Sequence, residues 1–218
     1  MAHTARTFTA PPTVHARPTV DALAARFAGV LFFALSAQFM TVIMLAASMA
    51  PNYDMAGGAI SDLGVIRETA TLFNLSLVAV GALNIVGGWL FFRSHGRAWI
   101  LATFVVAGIG AIGAGLVPLN ASDLHGLFAL VAFLFFNIEA LASATVLTRA
   151  MRGLSVVAGV AGLAFVIVMV IGDSGNPGVF GAIGHGGAER MIVYPVMLWM
   201  LAFGGYLMAS EPSDEHPR

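Results

Sequence analysis

The sequence has no cysteine and no lysine, and only 10% of its 218 residues are charged. Without cysteine there are no disulfides, no thiolate nucleophiles and no Cys-ligated metals. All ten basic residues are arginine, so no lysine amine is available for Schiff-base chemistry. A formal net charge of −1 gives no reason to expect nucleic acid.

What the sequence has in excess is apolar surface. Hydrophobic residues make up 59% of it and the mean hydropathy is +0.90, far from the roughly 25% charged residues of soluble domains. Crossing a hydrocarbon core of about 30 Å takes about 20 apolar residues as a helix. Six runs meet that length, over residues 27–50, 72–92, 98–117, 124–147, 153–172 and 191–208. They are continuous, unlike the alternating strands of barrels, and no water is present in the bilayer core to satisfy open backbone groups. The expected fold is all-α, a polytopic six-helix transmembrane bundle over residues 27–208.

Residues 1–26, rich in Pro, Thr, Ala and His without an apolar period, read as a disordered tail, and 209–218 as a second tail. "AASMA" before Pro51 has some likeness to a signal-peptidase site, but the apolar run before it is longer than a signal core, so an uncleaved first helix is expected. With six spans, eight arginines fall on the side of the termini and only Arg67 and Arg190 on the other. Cytoplasmic segments retain arginine, so both tails are expected in the cytoplasm of a multi-pass cell-membrane protein.

This topology gathers the polar residues at the outer face. In "YDMAGGAISDLG" the glycines at 57 and 58 suit a tight turn, and Ser61 or Asp62 suits the cap of a short helix. In "NASDLHGLF", Ser122 or Asp123 reads as the N-cap of the fourth helix, which leaves His125 at a positive helix end suited to a neutral ring acting as base or ligand. In "GHGGAERMIVYP", His185 and Glu189 share a face if the sixth helix begins before Met191. Arg190 needs a partner of its own, and Asp62, Asp123 or a lipid phosphate is the candidate. Ser61, Asp62, His125, Glu189 and Arg190 form the candidate site, with Asp62, His125, Glu189 and Arg190 expected to converge.

No haem, flavin or nucleotide signature is present; "GIGAIGAG" lies within a span and not after a soluble strand. No cofactor is expected. A divalent metal on His125, His185 and Glu189 is a weak signal, without HExxH or a cysteine pair. Ser61, His125 and Asp62 also fit nucleophilic catalysis, but no GxSxG elbow accompanies them. Deeper in the bilayer lie Gln38, Asn84 and Glu139. A glutamate there is expected to hydrogen-bond to such amides or to carry protons, with an interhelical lock favoured. Ala107, Ala111 and Gly115, and Ala158 with Gly162, repeat at the four-residue spacing of close helix packing.

"YDMAGGAISDLG", "LFNLSLVAVG", "GAGLVPLNASDLHGLFALVAF" and "GGAERMIVYPVMLWML", in that order, resemble a domain-of-unknown-function family of bacterial and archaeal six-helix membrane proteins. The most distinctive parts are residues 61–64, Asn74, His125 and Glu189-Arg190. That family is loosely similar to DRAM and Sfk type membrane proteins, some of which are linked to lipid organisation and remodelling. The resemblance implies membrane lipids as partners and supplies no reaction; the oligomeric state stays open.

Three functions follow. A lipid enzyme acting on a headgroup or acyl ester would use His125 as base, Asp62 or Glu189 to orient it, and Arg190 to hold an anionic phosphate. A lipid-binding protein would use the same face for docking alone. A small-solute or proton-coupled transporter would connect that face to Glu139. The adopted reading is a lipid-associated membrane protein of unassigned reaction.

Overall fold

A computed structural model describes residues 20–209. Six long helices account for most of it: α1 Val20–Met49, α2 Ala70–His95, α3 Ala98–Leu116, α4 Leu124–Ala144, α5 Arg149–Asp173 and α6 Gly184–Ala209. Short 3-10 helices, Ile60–Gly64 and Pro177–Ile183, lie in the α1–α2 and α5–α6 connections. All six long helices have the length and hydropathy to cross a membrane, and the chain is a multi-pass, all-helical membrane protein. Of the tails expected at 1–26 and 209–218, residues 1–19 and 210–218 lie outside the described residues; Val20 to Arg26 and Ala209 are helical and extend α1 and α6.

Each helix packs on its neighbours in the chain, α6 closes the ring on α1, and α4 also touches α6. Lipid tails are as apolar as leucine, so association in a bilayer relies on close backbone approach at small residues. The expected stripe on α3 serves this purpose: Ala107 and Ala111 are buried, and a Cβ on Gly115 would lie 2.7 Å from the Asn74 carbonyl oxygen of α2. On α5, Ala158 is buried and Gly162 lies against Asn137 of α4. The ring closes through a pair the sequence reading did not single out. A Cβ on either Gly29 or Gly204 would sit 2.6 Å from the other's carbonyl oxygen.

The two ends of the bundle are filled differently. Toward the end where α2 meets α3, Phe32 stacks on Phe104 (5.1 Å) and on Phe203 (5.3 Å), and Trp199 stacks on Phe203 (4.9 Å). The Trp199 indole N–H donates to Ser155 Oγ at 2.7 Å, so the indole nitrogen of this plug has its partner. Between plug and opposite end, Asn84 Nδ2 donates to Glu139 Oε2 (2.9 Å) and to the Phe104 carbonyl (3.0 Å). This is the expected amide partner for the buried glutamate. Gln38 is engaged elsewhere, accepting from Ser76 Oγ at 2.8 Å.

Glu139 Oε1 and Asn84 Oδ1 are buried without a protein donor. A proton on the carboxyl would supply a donor within this pair, and a neutral acid avoids the cost of a bare charge in hydrocarbon. Glu139→Gln keeps the shape and should change unfolding free energy in detergent by less than about 0.5 kcal/mol. Glu139→Leu removes the α2–α4 bond and should cost about 1 kcal/mol, near the upper range for such bonds in membranes.

Candidate functional site: a groove at one end of the bundle

The end opposite the aromatic plug is built around the α1–α2 connection. Asp54 closes its first turn, accepting from the amides of Ala56 (3.0 Å) and Gly57 (2.8 Å). Those two amides hold its carboxyl below the usual carboxylate range. Tyr53 folds back over the same turn, its hydroxyl 2.6 Å from the Ala59 carbonyl and 3.1 Å from that of Gly58. Burial pushes this hydroxyl's pKa up, against the opposing effect of Arg190. The 3-10 helix follows, with Asp62 as its cap: Oδ2 accepts the Ala59 N–H at 2.9 Å. Asn74 Nδ2 closes the other end on the Gly64 carbonyl at 2.9 Å.

Ser61 has a different role from the capping one. Its hydroxyl donates to Glu189 Oε1 at 3.1 Å, and Glu189 Oε2 accepts the Ile60 N–H. A carboxylate from α6 thus supplies the acceptor that a helix start normally takes from its own cap. Next to it, Arg190 turns the other way. Nη1 faces the carbonyls of Met55 (2.8 Å), Gly58 (3.1 Å) and Gly186 (2.8 Å), and Nη2 donates to the Tyr53 hydroxyl at 2.6 Å. The guanidinium also lies over the Tyr53 ring, 5.6 Å from its centre.

The expected carboxylate partner of Arg190, Asp62 or Asp123, is therefore corrected. The loop turns carbonyl oxygens inward that no helix or sheet answers, and the planar fork of donors satisfies them. This close docking explains "GHGG". Gly184 has φ +68°, in the left-handed region, and a Cβ on Gly186 would lie 2.8 Å from Arg190 Nη1 and against the Gly58 carbonyl. The Gly186 amide donates to the Ala56 carbonyl at 2.8 Å. With α6 beginning at Gly184, His185 and Glu189 fall one turn apart on the same helix.

His125 stands in the first turn of α4, after Ser122, whose Oγ accepts the Leu124 N–H at 3.2 Å. Asp123 makes no capping bond. His125 Nδ1 lies 2.8 Å from the Val117 carbonyl. A carbonyl oxygen only accepts, so Nδ1 carries a proton, and in the neutral ring Nε2 is the acceptor. Nε2 is buried and has no protein partner, and the residue is 3% exposed. The carboxylate expected to orient this ring is replaced by a backbone carbonyl, because Asp62 holds Ala59 and Glu189 holds Ile60 and Ser61.

These residues surround a groove of about 570 Å³. Its polar lining is Ser61, Asp62, His125, Asp173, Ser174, His185 and Glu189, and its apolar flank is Leu130 and Phe133 of α4 with Met169 and Val170 of α5. Below it, sharing Ser61, His125, Ala129, Phe133 and Glu189, an apolar cavity of about 60 Å³ reaches between the helices toward Phe39, Val80 and Met197. Of the four residues expected to converge, Asp62, His125 and Glu189 do line one space. Arg190 stands outside it, on the loop side.

Asp173 and Tyr53 belong to this end and were not among the expected site residues. Asp173 Oδ1 pairs with His185 Nε2 at 3.2 Å, and Tyr53 meets Arg190 across 137 positions, a separation with no local sequence signal. His125, His185 and Glu189 line the same groove, yet among the described residues no three His, Asp or Glu side chains are placed to hold a metal ion. Arg190→Ala strands the loop carbonyls and should cost about 2–3 kcal/mol of unfolding free energy in detergent, against about 1 kcal/mol for Tyr53→Phe. The double variant should lose less than the sum, since the two share one bond.

A family model described as "Protein of unknown function (DUF998)" matches residues 33–206, a range that takes in every residue lining the groove. Searches of the curated proteins and of the solved structures give no match. The match spans most of the chain, from within α1 to within α6, and the protein belongs to the DUF998 family of unknown function.

Proposed function

We propose that the chain is a lipid-binding membrane protein, whose groove takes the polar head of a membrane amphiphile while its alkyl part lies along the α4–α5 flank. One observation carries this reading: His125 Nε2, a buried acceptor without a protein partner, belongs to a groove that is polar on one side and apolar on the other. Leu130 and Val170 on the flank are 37% and 51% exposed, which on a membrane-spanning surface means exposed to lipid. A volume of about 570 Å³ lies within the roughly 300–1,000 Å³ of ligand sites.

Binding is preferred to catalysis because the Ser61 proton is directed at Glu189, which already holds Ile60, so neither is set up as a nucleophile with a free base. Arg190 is committed to the loop and is not free for a phosphate. Transport through Glu139 is less favoured, since Glu139 lines neither the groove nor the cavity beneath it. The groove is assigned to the outer leaflet of the cell membrane. Arg26, Arg93, Arg97, Arg149 and Arg152 belong to the other end, whereas the groove end has Arg67 and the buried Arg190.

Two measurements test this. Ala129 lines both groove and cavity, and Ala129→Trp should fill them without touching the Glu189 or Arg190 bonds. Lipid retained through purification in mild detergent, quantified by mass spectrometry, should fall at least about fivefold, which is about 1 kcal/mol of binding. Equal retention in a variant of unchanged melting temperature would remove the reading. Reporter tags between Arg93 and Arg97 should read cytoplasmic and tags at Asn176 extracytoplasmic; the reverse pattern would move the groove to the inner leaflet.

A further inference from the structure

The groove's chemistry is one-sided in hydrogen-bonding terms. His125 Nε2 accepts, because Nδ1 spends the ring's proton on Val117. Asp62, Asp173 and Glu189 are carboxylates in the lining. Ser61 gives its proton to Glu189 and Ser174 gives its proton to the Val170 carbonyl, so neither hydroxyl has a proton left for a ligand. The groups that could answer an anion are engaged or lie outside the groove. Both terminal nitrogens of Arg190 are held by the loop and its unpartnered Nε is buried in a residue that does not line the groove, Arg67 pairs with Glu68 with its side chain 92% exposed, and His185 pairs with Asp173.

Several nearby backbone donors are engaged as well. The amides of Ala59 and Ile60 go to Asp62 and Glu189, those of Leu124 and His125 to Ser122, and that of Gly186 to Ala56. A phosphate or carboxylate entering here would meet acceptors and like charge. A hydroxyl brings a single proton and no charge. An ammonium brings three donors and a positive charge on a compact head, and its carbon chain can continue along Leu130 and Phe133.

We propose that the head recognised in this groove is a protonated primary amine carried on a membrane amphiphile, with His125 Nε2 and the Asp62 and Glu189 carboxylates as its acceptors. This rests on the lipid-binding reading and narrows it, since the Arg190–phosphate contact expected from the sequence has no counterpart here.

The test compares heads on one tail. The full chain in a non-ionic detergent is titrated with dodecylammonium, dodecanol and dodecyl phosphate, and adducts are counted by native mass spectrometry. Dodecylammonium should form a saturable one-to-one adduct at least about tenfold tighter than the other two, absent in Ala129→Trp. Asp62→Asn, which can still accept the Ala59 amide, should weaken it about tenfold. Butylammonium, a head with little tail, should compete at least about tenfold more weakly.

Dodecanol or dodecyl phosphate binding as tightly as the amine, each lost in Ala129→Trp, would overturn the amine assignment and leave lipid binding standing. Butylammonium binding as tightly as dodecylammonium would make the site one for soluble amines. An amine adduct that survives Ala129→Trp is micelle partitioning and overturns the proposal. If no probe gives an adduct sensitive to Ala129→Trp, the lipid-binding reading falls with it.

Discussion

The structure depends on two adjacent residues of α6 docking one loop. The α1–α2 connection has no sheet and little helix to absorb its backbone polar groups, and it lies over the end of an apolar bundle where unanswered groups are costly. Neighbouring positions on a helix point about 100° apart, so Glu189 and Arg190 reach two different parts of the same loop. Glu189 takes the N–H that opens the 3-10 helix, and Arg190 takes the carbonyls of the preceding turn. One acceptor and one cationic donor thus answer the two kinds of backbone group that the loop leaves open. The groove wall is a product of this docking, because Ser61 and Asp62 sit where the docked turn places them.

The same docking sets the sequence requirements around it. A side chain at Gly186 would collide with the Gly58 carbonyl, and Gly184 takes a backbone conformation that other residues enter at a cost. The glycines that look like a loop in the sequence are therefore the start of a helix. This is why the sixth span, expected from residue 191, begins at Gly184. Helix propensity argues against two further glycines in a first turn, but at a docked helix end the need for close approach outweighs it.

The rest of the fold divides by the range of the physics involved. Six spans were legible because bilayer thickness fixes an unbroken apolar length, a property of contiguous residues. Glu139 with Asn84 was legible because depth along two helices follows from counting, and a buried carboxyl must find such a partner. His125 was legible at its helix end. Its partner was not, since the Val117 carbonyl belongs to a turn whose direction no residue pattern reveals. The Gly29–Gly204 contact and the Tyr53–Arg190 bond join opposite ends of the chain, and their participants carry no mark of one another. Arginine at an interface led to the expectation of a carboxylate, because pairing rules describe side chains; backbone oxygens turned inward by a loop are invisible to them.

The asymmetry between the two ends bears on what kind of site this is. Stacked aromatics and the Trp199–Ser155 bond close the end nearer the arginine-rich loops, and the Glu139–Asn84 pair ties α2 to α4 between that plug and the groove. A pathway through the bundle would have to unstack the first and break the second. A pocket open at one end and on the α4–α5 flank needs neither change. His125 is held by a backbone carbonyl, Asp62 by its own turn and Glu189 by the loop it docks, so each acceptor is fixed before any ligand arrives. Under the proposed lipid-binding reading, little ordering is then left for binding to impose, the condition under which a small polar head on a tail already dissolved in the membrane can be held by few contacts.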